Sequence, residues 1–153
     1  VGDSHAGSLV QILAEYSKRK SLTGVDLTLR SCPIIISSVS VDDVERGKCP
    51  EVSNSFRNSA VAGRLPSVLV LSSRWTLYLE RQRANNHQGG KEPGEEVLFT
   101  SSKTDKLGYA EALSRDYVES INFLLAHGYK ILLIYPVPEM GWNVPNYMIK
   151  KLH

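Results

Sequence analysis

Val1-Gly2-Asp3-Ser4-His5-Ala6-Gly7 is the stretch that decides both the fold and the candidate chemistry of this chain. Its residue types predict a turn between a strand that ends at Val1 and a helix that follows. Gly2 permits a tight bend there, including one with positive φ. Ser4 would then lie over the first amides of the helix, which have no intrahelical partner and would stabilise a developing oxyanion. Ser4 is therefore a candidate nucleophile, and the simpler interpretation is an ordinary N-capped helix, because Asp and Ser are common caps.

Length and composition restrict the class of protein. A chain of 153 residues with 42% hydrophobic and 22% charged residues is typical of a globular chain, here one domain or most of one. The net charge of +2 gives no reason to expect a nucleic-acid partner. The longest apolar runs, Val68–Leu71 and Ile131–Ile134, are too short to cross a bilayer. No signal peptide is visible.

Hydrophobic periodicity predicts alternating helices and strands. Apolar residues three and four apart indicate amphipathic helices, whereas alternating or short continuous apolar runs indicate strands. The helix from His5 to Arg19 is expected to bury a face that includes Ile12 and Tyr16. The order of elements predicts an α/β fold with a mostly parallel sheet flanked by helices. The predicted elements are helices at 5–19, 51–64, 75–84 and 109–127, with Gly128 as C-cap, and strands at 24–30, 67–73 and 130–135.

Polar or rigid residues follow each predicted strand. The residues that come just after a predicted strand are Ser4, Ser31-Cys32, Ser73-Arg74 and Pro136-Val137-Pro138. In parallel α/β sheets, ligands bind at the carboxyl ends of the strands. We therefore expect these residues to converge on one edge of the sheet.

The two cysteines, Cys32 and Cys49, are 17 residues apart, and each precedes a proline. They form no Cys-x-x-Cys or histidine pattern, which argues against a zinc site. A disulfide between them would require an oxidising compartment. Two unrelated buried thiols are the alternative, and the cysteines by themselves leave both interpretations open.

Several short motifs resemble one family. The run from Gly2 to His5 resembles the first sequence block of the SGNH/GDSL hydrolases, and Ser4-His5-Ala6 is similar to the branch fused to membrane acyltransferases that O-acetylate bacterial surface polysaccharides. Ser72-Ser73-Arg74-Trp75 and Pro136-Val137-Pro138-Glu139 are similar to the Ser-x-Arg-Trp and Pro-x-Pro-Glu motifs of that branch. With the Cys-Pro turn, the resemblance spans residues 1 to about 148.

The resemblance implies a three-layer, SGNH/flavodoxin-like α/β sandwich and a single domain over residues 1–153. It implies that Ser4 is the catalytic residue, and that Cys32 and Cys49 form a disulfide. It also implies that the oxyanion or the substrate is bound by Arg74, Cys32 and Trp75. Arg74 stands where the family has an asparagine. The alternatives are that Arg74 pairs with a surface carboxylate and that Trp75 only packs. Neither a cofactor nor a metal is implied.

The chain departs from the family at the general base. The family supplies it from an Asp-x-x-His motif, and this chain has none. It also lacks the family's glycine after the second strand and its Gly-x-Asn-Asp after the third. We therefore expect the domain to be truncated at both ends, without its first strand and its Asp-x-x-His block, or else to be inactive. None of the four histidines has an aspartate three positions before it. The residues at those positions are Gly2 before His5, Ala84 before His87, Leu124 before His127 and Lys150 before His153.

The expected function is serine-dependent acyl transfer to a bacterial cell-envelope polysaccharide, with residues 1–153 alone inactive. A membrane acyltransferase domain of the same polypeptide would deliver the acyl group, and a glycan would accept it. The domain would lie on the periplasmic face, tethered to the inner membrane by a missing N-terminal transmembrane domain. The alternatives are a carbohydrate esterase, because the same acyl-enzyme can react with water, and a non-catalytic glycan-binding domain that lost its base.

Overall fold

The computed structural model describes residues 1–36, 39–41, 48–81, 83, 85, 92 and 99–135. Within them the fold is mixed α/β, with a two-stranded parallel sheet, a two-stranded antiparallel pair and five helices. The helices are α1 (Ser4–Arg19), α2 (Lys48–Val61), α3 (Trp75–Glu80), α4 (Thr104–Leu107) and α5 (Tyr109–Ala126). The strands are β1 (Val39–Val41), β2 (Val68–Ser72), β3 (Phe99–Ser101) and β4 (Lys130–Ile134).

The parallel sheet is extended by single bridges at its β2 side. β2 pairs with β4 in the parallel sense. Gly2 forms a parallel bridge with Ser72 on one side and with Thr28 on the other. The amide of Leu29 donates to the Gly2 carbonyl at 2.9 Å, which continues the same ladder. The segments at Thr28, Gly2, β2 and β4 therefore run in one direction, and their carboxyl ends meet at one edge.

The helix α1 confirms the predicted helix but not its predicted buried face. Ala6 is buried, and Leu13 is half-buried. Ile12 and Tyr16, predicted on the same face, are 68% and 57% exposed. At 100° per residue, Ile12 lies about 120° around the helix from Ala6. Only a narrow stripe of α1 that contains Ala6 and Leu13 is covered, so this part of the prediction was wrong.

The helix α5 and its end agree with the sequence. Leu113 and Leu124, which lie within the helix predicted at 109–127, are almost fully buried. After the helix, Gly128 adopts φ +84° and its amide donates to the Leu125 carbonyl at 3.0 Å. The amide of Tyr129 donates to the Leu124 carbonyl at 3.2 Å. These two bonds form a Schellman motif, in which glycine is favoured because of the positive φ.

The strands differ from the predictions in length and burial. The strand predicted at 24–30 is reduced to bridging residues Thr28 and Leu29, and Val25 is 64% exposed. The strands β2 and β4 are present, but Val68 and Leu132 are each about half exposed. The described core lies mainly against the opposite face of the sheet, where Leu69 and Leu71 are buried.

The antiparallel pair of β1 and β3 was not predicted. Its three-residue strands pair with Ser40 opposite Thr100. Strands this short have too few residues to show a two-residue periodicity. The helix α3 is also shorter than predicted, because Arg81 takes a left-handed conformation with φ +60°. The stretch Pro136-Val137-Pro138-Glu139, which follows the last predicted strand, lies outside the described residues.

A disulfide joins Cys32 to Cys49, as the resemblance implies, with the two Cα atoms 5.5 Å apart. Cys32 lies in the tight turn that follows Leu29, and Cys49 lies in the first turn of α2. Both residues are buried. The bridge therefore fixes the turn after the Thr28 segment to the helix that packs beside it.

Candidate active site

The carboxylate of Asp3 is the structural centre of the candidate site. Asp3 is 1% exposed, and its Oδ1 accepts a hydrogen bond from the amide of His5 at 2.8 Å, which caps α1. Its Oδ2 accepts from the amide of Arg74 at 2.9 Å and from the hydroxyl of Tyr78 at 2.5 Å. A buried carboxylate requires such donors. One side chain thereby connects the start of α1, the residues after β2, and α3.

Ser4 is the first residue of α1 and is exposed. It lies between the buried Asp3 and the half-buried His5, two residues after the Gly2 bridge to the sheet. The first amides of an α-helix have no intrahelical acceptor and carry the positive end of its dipole. The carboxylate of Asp3 takes the amide of His5, the second residue of this first turn. A role for Ser4 as a nucleophile beside an oxyanion site stays a prediction.

The guanidinium of Arg74 is held by Glu92. Its Nη1 and Nη2 donate to the two oxygens of Glu92 at 2.9 and 2.5 Å, and Arg83 donates to Oε1 of the same carboxylate at 2.9 Å. The hydrogen bond from Arg74 lowers the pKa of Glu92 below its ordinary value, and the charges of both arginines add to that effect against the opposing effect of burial. This is the carboxylate pairing weighed as an alternative above. A role for Arg74 with substrate stays a prediction.

Trp75 belongs to an aromatic cluster. Its ring lies 4.0 Å, centroid to centroid, from Tyr117 and 5.9 Å from Tyr78. Burial raises the pKa of Tyr117 to about 12, against a smaller lowering by the Trp75 indole. These contacts are those of a packing residue. The use of Trp75 as a substrate-binding surface stays a prediction.

Cys32 is fully buried, and its sulfur is part of the disulfide. Its amide donates to the carbonyl of Leu29 at 3.0 Å and so closes the turn in which Ser31 has φ +57°. The side chain of Cys32 is therefore held in the disulfide and away from solvent, and a part for Cys32 in binding the oxyanion or the substrate stays a prediction. The structure gives it the role of holding the turn next to the Gly2 segment.

Sequence reasoning did not single out Tyr78, Arg83 or Glu92. Tyr78 lies within the predicted helix at 75–84, but local spacing does not indicate which hydroxyl reaches Asp3. The two prolines of the predicted loop after β4 lie outside the described residues, so their place at the edge of the sheet is not described.

The described histidines do not provide an evident base. His5 is the chain neighbour of Ser4, and adjacent helix residues do not face each other. His127 is exposed at the end of α5, where its Nδ1 lies 2.8 Å from the carbonyl of Phe123. Among the described residues, no group of three or more His, Cys, Asp or Glu side chains is placed to hold a metal ion.

The described part of the chain contains no helix that is both long and apolar enough to cross a membrane. Comparison with curated proteins and with solved structures finds no match. The sequence does match the family described as "SGNH domain (fused to AT3 domains)", over residues 1–153. With a match over its whole length and an exposed serine at the strand-to-helix turn, the chain belongs to the SGNH domains that are fused to AT3 acyltransferase domains.

Proposed function

We propose that this chain transfers an acyl group through Ser4, and that the reaction is O-acetylation of a bacterial cell-envelope polysaccharide of the lipopolysaccharide or peptidoglycan type. The observation that carries the proposal is the exposed hydroxyl of Ser4 at the N-terminus of α1, directly after a buried carboxylate that fixes the turn. Family membership supports acyl transfer as the class of reaction.

The proposed reaction has two balanced steps. In the first, the Ser4 oxygen bonds to the carbonyl carbon of the acyl donor, its proton passes to a base, and the donor's leaving group departs with a proton. In the second, a sugar hydroxyl attacks the acyl-Ser4 ester, the sugar ester forms, and Ser4 regains its proton. First-turn amides of α1 would stabilise the oxyanion in both steps, with Arg74 as a further donor.

We propose that the base comes from an Asp-x-x-His segment beyond residue 153, because none of the four histidines follows an aspartate by three positions. The complete domain would form the three-layer sandwich that the family implies. The parallel order of the segments at Thr28, Gly2, β2 and β4 supports this arrangement. A membrane acyltransferase domain of the same polypeptide would bring the acyl donor to the periplasmic side, where the glycan acceptor lies.

The test uses the full-length protein that contains this domain. A fluorophosphonate probe should label Ser4, and Ser4→Ala should abolish both labelling and acetyl transfer to the glycan. Ser8→Ala is the matched control, because Ser8 is an exposed serine one turn later on the same helix and should leave both unchanged. Labelling that survives Ser4→Ala would contradict the proposal. Acetate release without sugar acetylation would assign the esterase alternative.

A further inference from the structure

We infer that Tyr78 is a positioning residue for Ser4 and that it acts through Asp3; the inference rests on the proposed function of Ser4. Tyr78 does not contact a substrate in this assignment. It holds the carboxylate that fixes the turn on which the nucleophile lies.

The hydrogen bonds form a continuous path from Tyr78 to the nucleophile's turn. The Tyr78 hydroxyl donates to Asp3 Oδ2 at 2.5 Å, and both residues are only 1% exposed. Asp3 Oδ1 accepts from the amide of His5, the residue directly after Ser4. Ser4 therefore lies between the two residues that this carboxylate joins. A shift of the carboxylate would move the Ser4 backbone with it.

The position of the Tyr78 hydroxyl is itself fixed by packing. Its ring meets Phe99 edge-to-face, with centroids 5.1 Å apart and an interplanar angle of 86°, and meets Trp75 at 77°. The second donor to Oδ2, the amide of Arg74, lies four residues earlier in the chain. Two donors from one segment thus hold a single carboxylate oxygen. This fixes the first turn of α1 to the segment that begins α3.

Removing the Tyr78 hydroxyl should therefore affect chemistry more than probe binding. In Tyr78→Phe the ring packing stays, and Asp3 loses a hydrogen bond to its charge, which is among the stronger kinds. Sub-ångström displacement of a reacting group lowers rates steeply. We expect the maximal rate of fluorophosphonate labelling at Ser4 to fall about tenfold, with little change in the probe concentration that gives half the maximal rate.

The matched control is Tyr129→Phe in the same full-length protein. The Tyr129 hydroxyl is also buried and donates to the carbonyl of Ala60 at 2.9 Å, near the C-terminal end of α2. Both variants lose one buried hydrogen bond, and the melting temperature should fall further in Tyr78→Phe because its bond is to a charge. Only Tyr78→Phe should slow labelling. Equal labelling rates in the two variants would overturn the inference.

A second variant covers the case in which Tyr78→Phe does not fold. Asp3→Asn keeps a side-chain oxygen that can cap α1 but presents an amide or a neutral oxygen to Tyr78. It should lower the labelling rate at least as much, and adding Tyr78→Phe to it should lower the rate no further. A wild-type labelling rate in Asp3→Asn would overturn this inference and leave the proposed function of Ser4 standing. Absence of Ser4 labelling in the wild-type protein would overturn the proposed function, and the inference with it.

Discussion

Gly2 lies so close to Ser72 that a Cβ atom at position 2 would be 1.8 Å from the Ser72 carbonyl oxygen. The Gly2 backbone also has φ +139°, which L-residues rarely adopt. On its other side Gly2 is bridged to Thr28. The chain reaches Ser4 by passing between two neighbouring parallel segments, and glycine is the residue that allows this approach.

The Gly2→Ala variant is expected to lose at least about 4 kcal/mol of unfolding free energy or to fail to fold, because strain in φ and a clash with backbone act together. Denaturant unfolding monitored by circular dichroism measures the loss. Gly63→Ala is the control, since Gly63 has φ +63° but nothing within 4 Å of the added Cβ. It should lose only about 1 kcal/mol. Equal losses in the two variants would show that close approach to Ser72 is unimportant.

The disulfide between Cys32 and Cys49 is expected to contribute about 3 kcal/mol, the value for closing a loop of this length. The double variant Cys32→Ala/Cys49→Ala should lose that amount relative to the oxidised protein. Titration of free thiols after unfolding checks the bridge directly in protein produced in the periplasm without reductant. Two titratable thiols would contradict both the bridge and the extracytoplasmic location we propose.

The Arg74→Ala variant is expected to lower acyl-transfer turnover about a hundredfold, the effect of removing one oxyanion donor. Arg74→Lys should rescue poorly, because lysine lacks the planar fork of the guanidinium. Steady-state transfer by the full-length protein measures both effects.

The control for Arg74 is Arg83→Ala. Arg83 binds the same carboxylate of Glu92 but does not follow β2, whereas Arg74 follows β2 directly and donates its amide to Asp3. It should therefore lower stability to a similar extent while leaving turnover near that of the wild type. A hundredfold loss in both variants would instead indicate that the ion pairs with Glu92 act structurally.

The ion pairs of Glu92 predict a specific dependence of stability on pH. The folded protein lowers the pKa of Glu92 below 4.5, so its contribution is complete above 4.5 and is lost as the pH falls through the lowered value. Glu92→Gln should thus lower the melting temperature at neutral pH, and the difference from wild type should shrink as the pH falls below 4.5. Glu80→Gln, at an exposed position of α3, is the control. A difference that stays constant with pH would contradict the prediction.

Local sequence patterns predicted the elements that depend on local physics. The turn before Ser4, the helix α5 with its glycine at 128, and the strands β2 and β4 all follow from residue spacing and from the conformations that glycine allows. The exposure of Ile12 and Tyr16 did not follow, because periodicity gives the apolar side of a helix and not the width of the surface that covers it.

By itself the sequence determined the position of the candidate nucleophile and the strand-to-helix order around it, since both depend on neighbours within a few residues. Only the tertiary structure decided which groups surround that serine. Asp3 meets the Tyr78 hydroxyl across 75 positions of the chain, and Arg74 meets Glu92 across 18. Contacts this distant depend on how strands and helices pack together, and no local pattern of residues specifies which polar groups are brought within hydrogen-bonding distance.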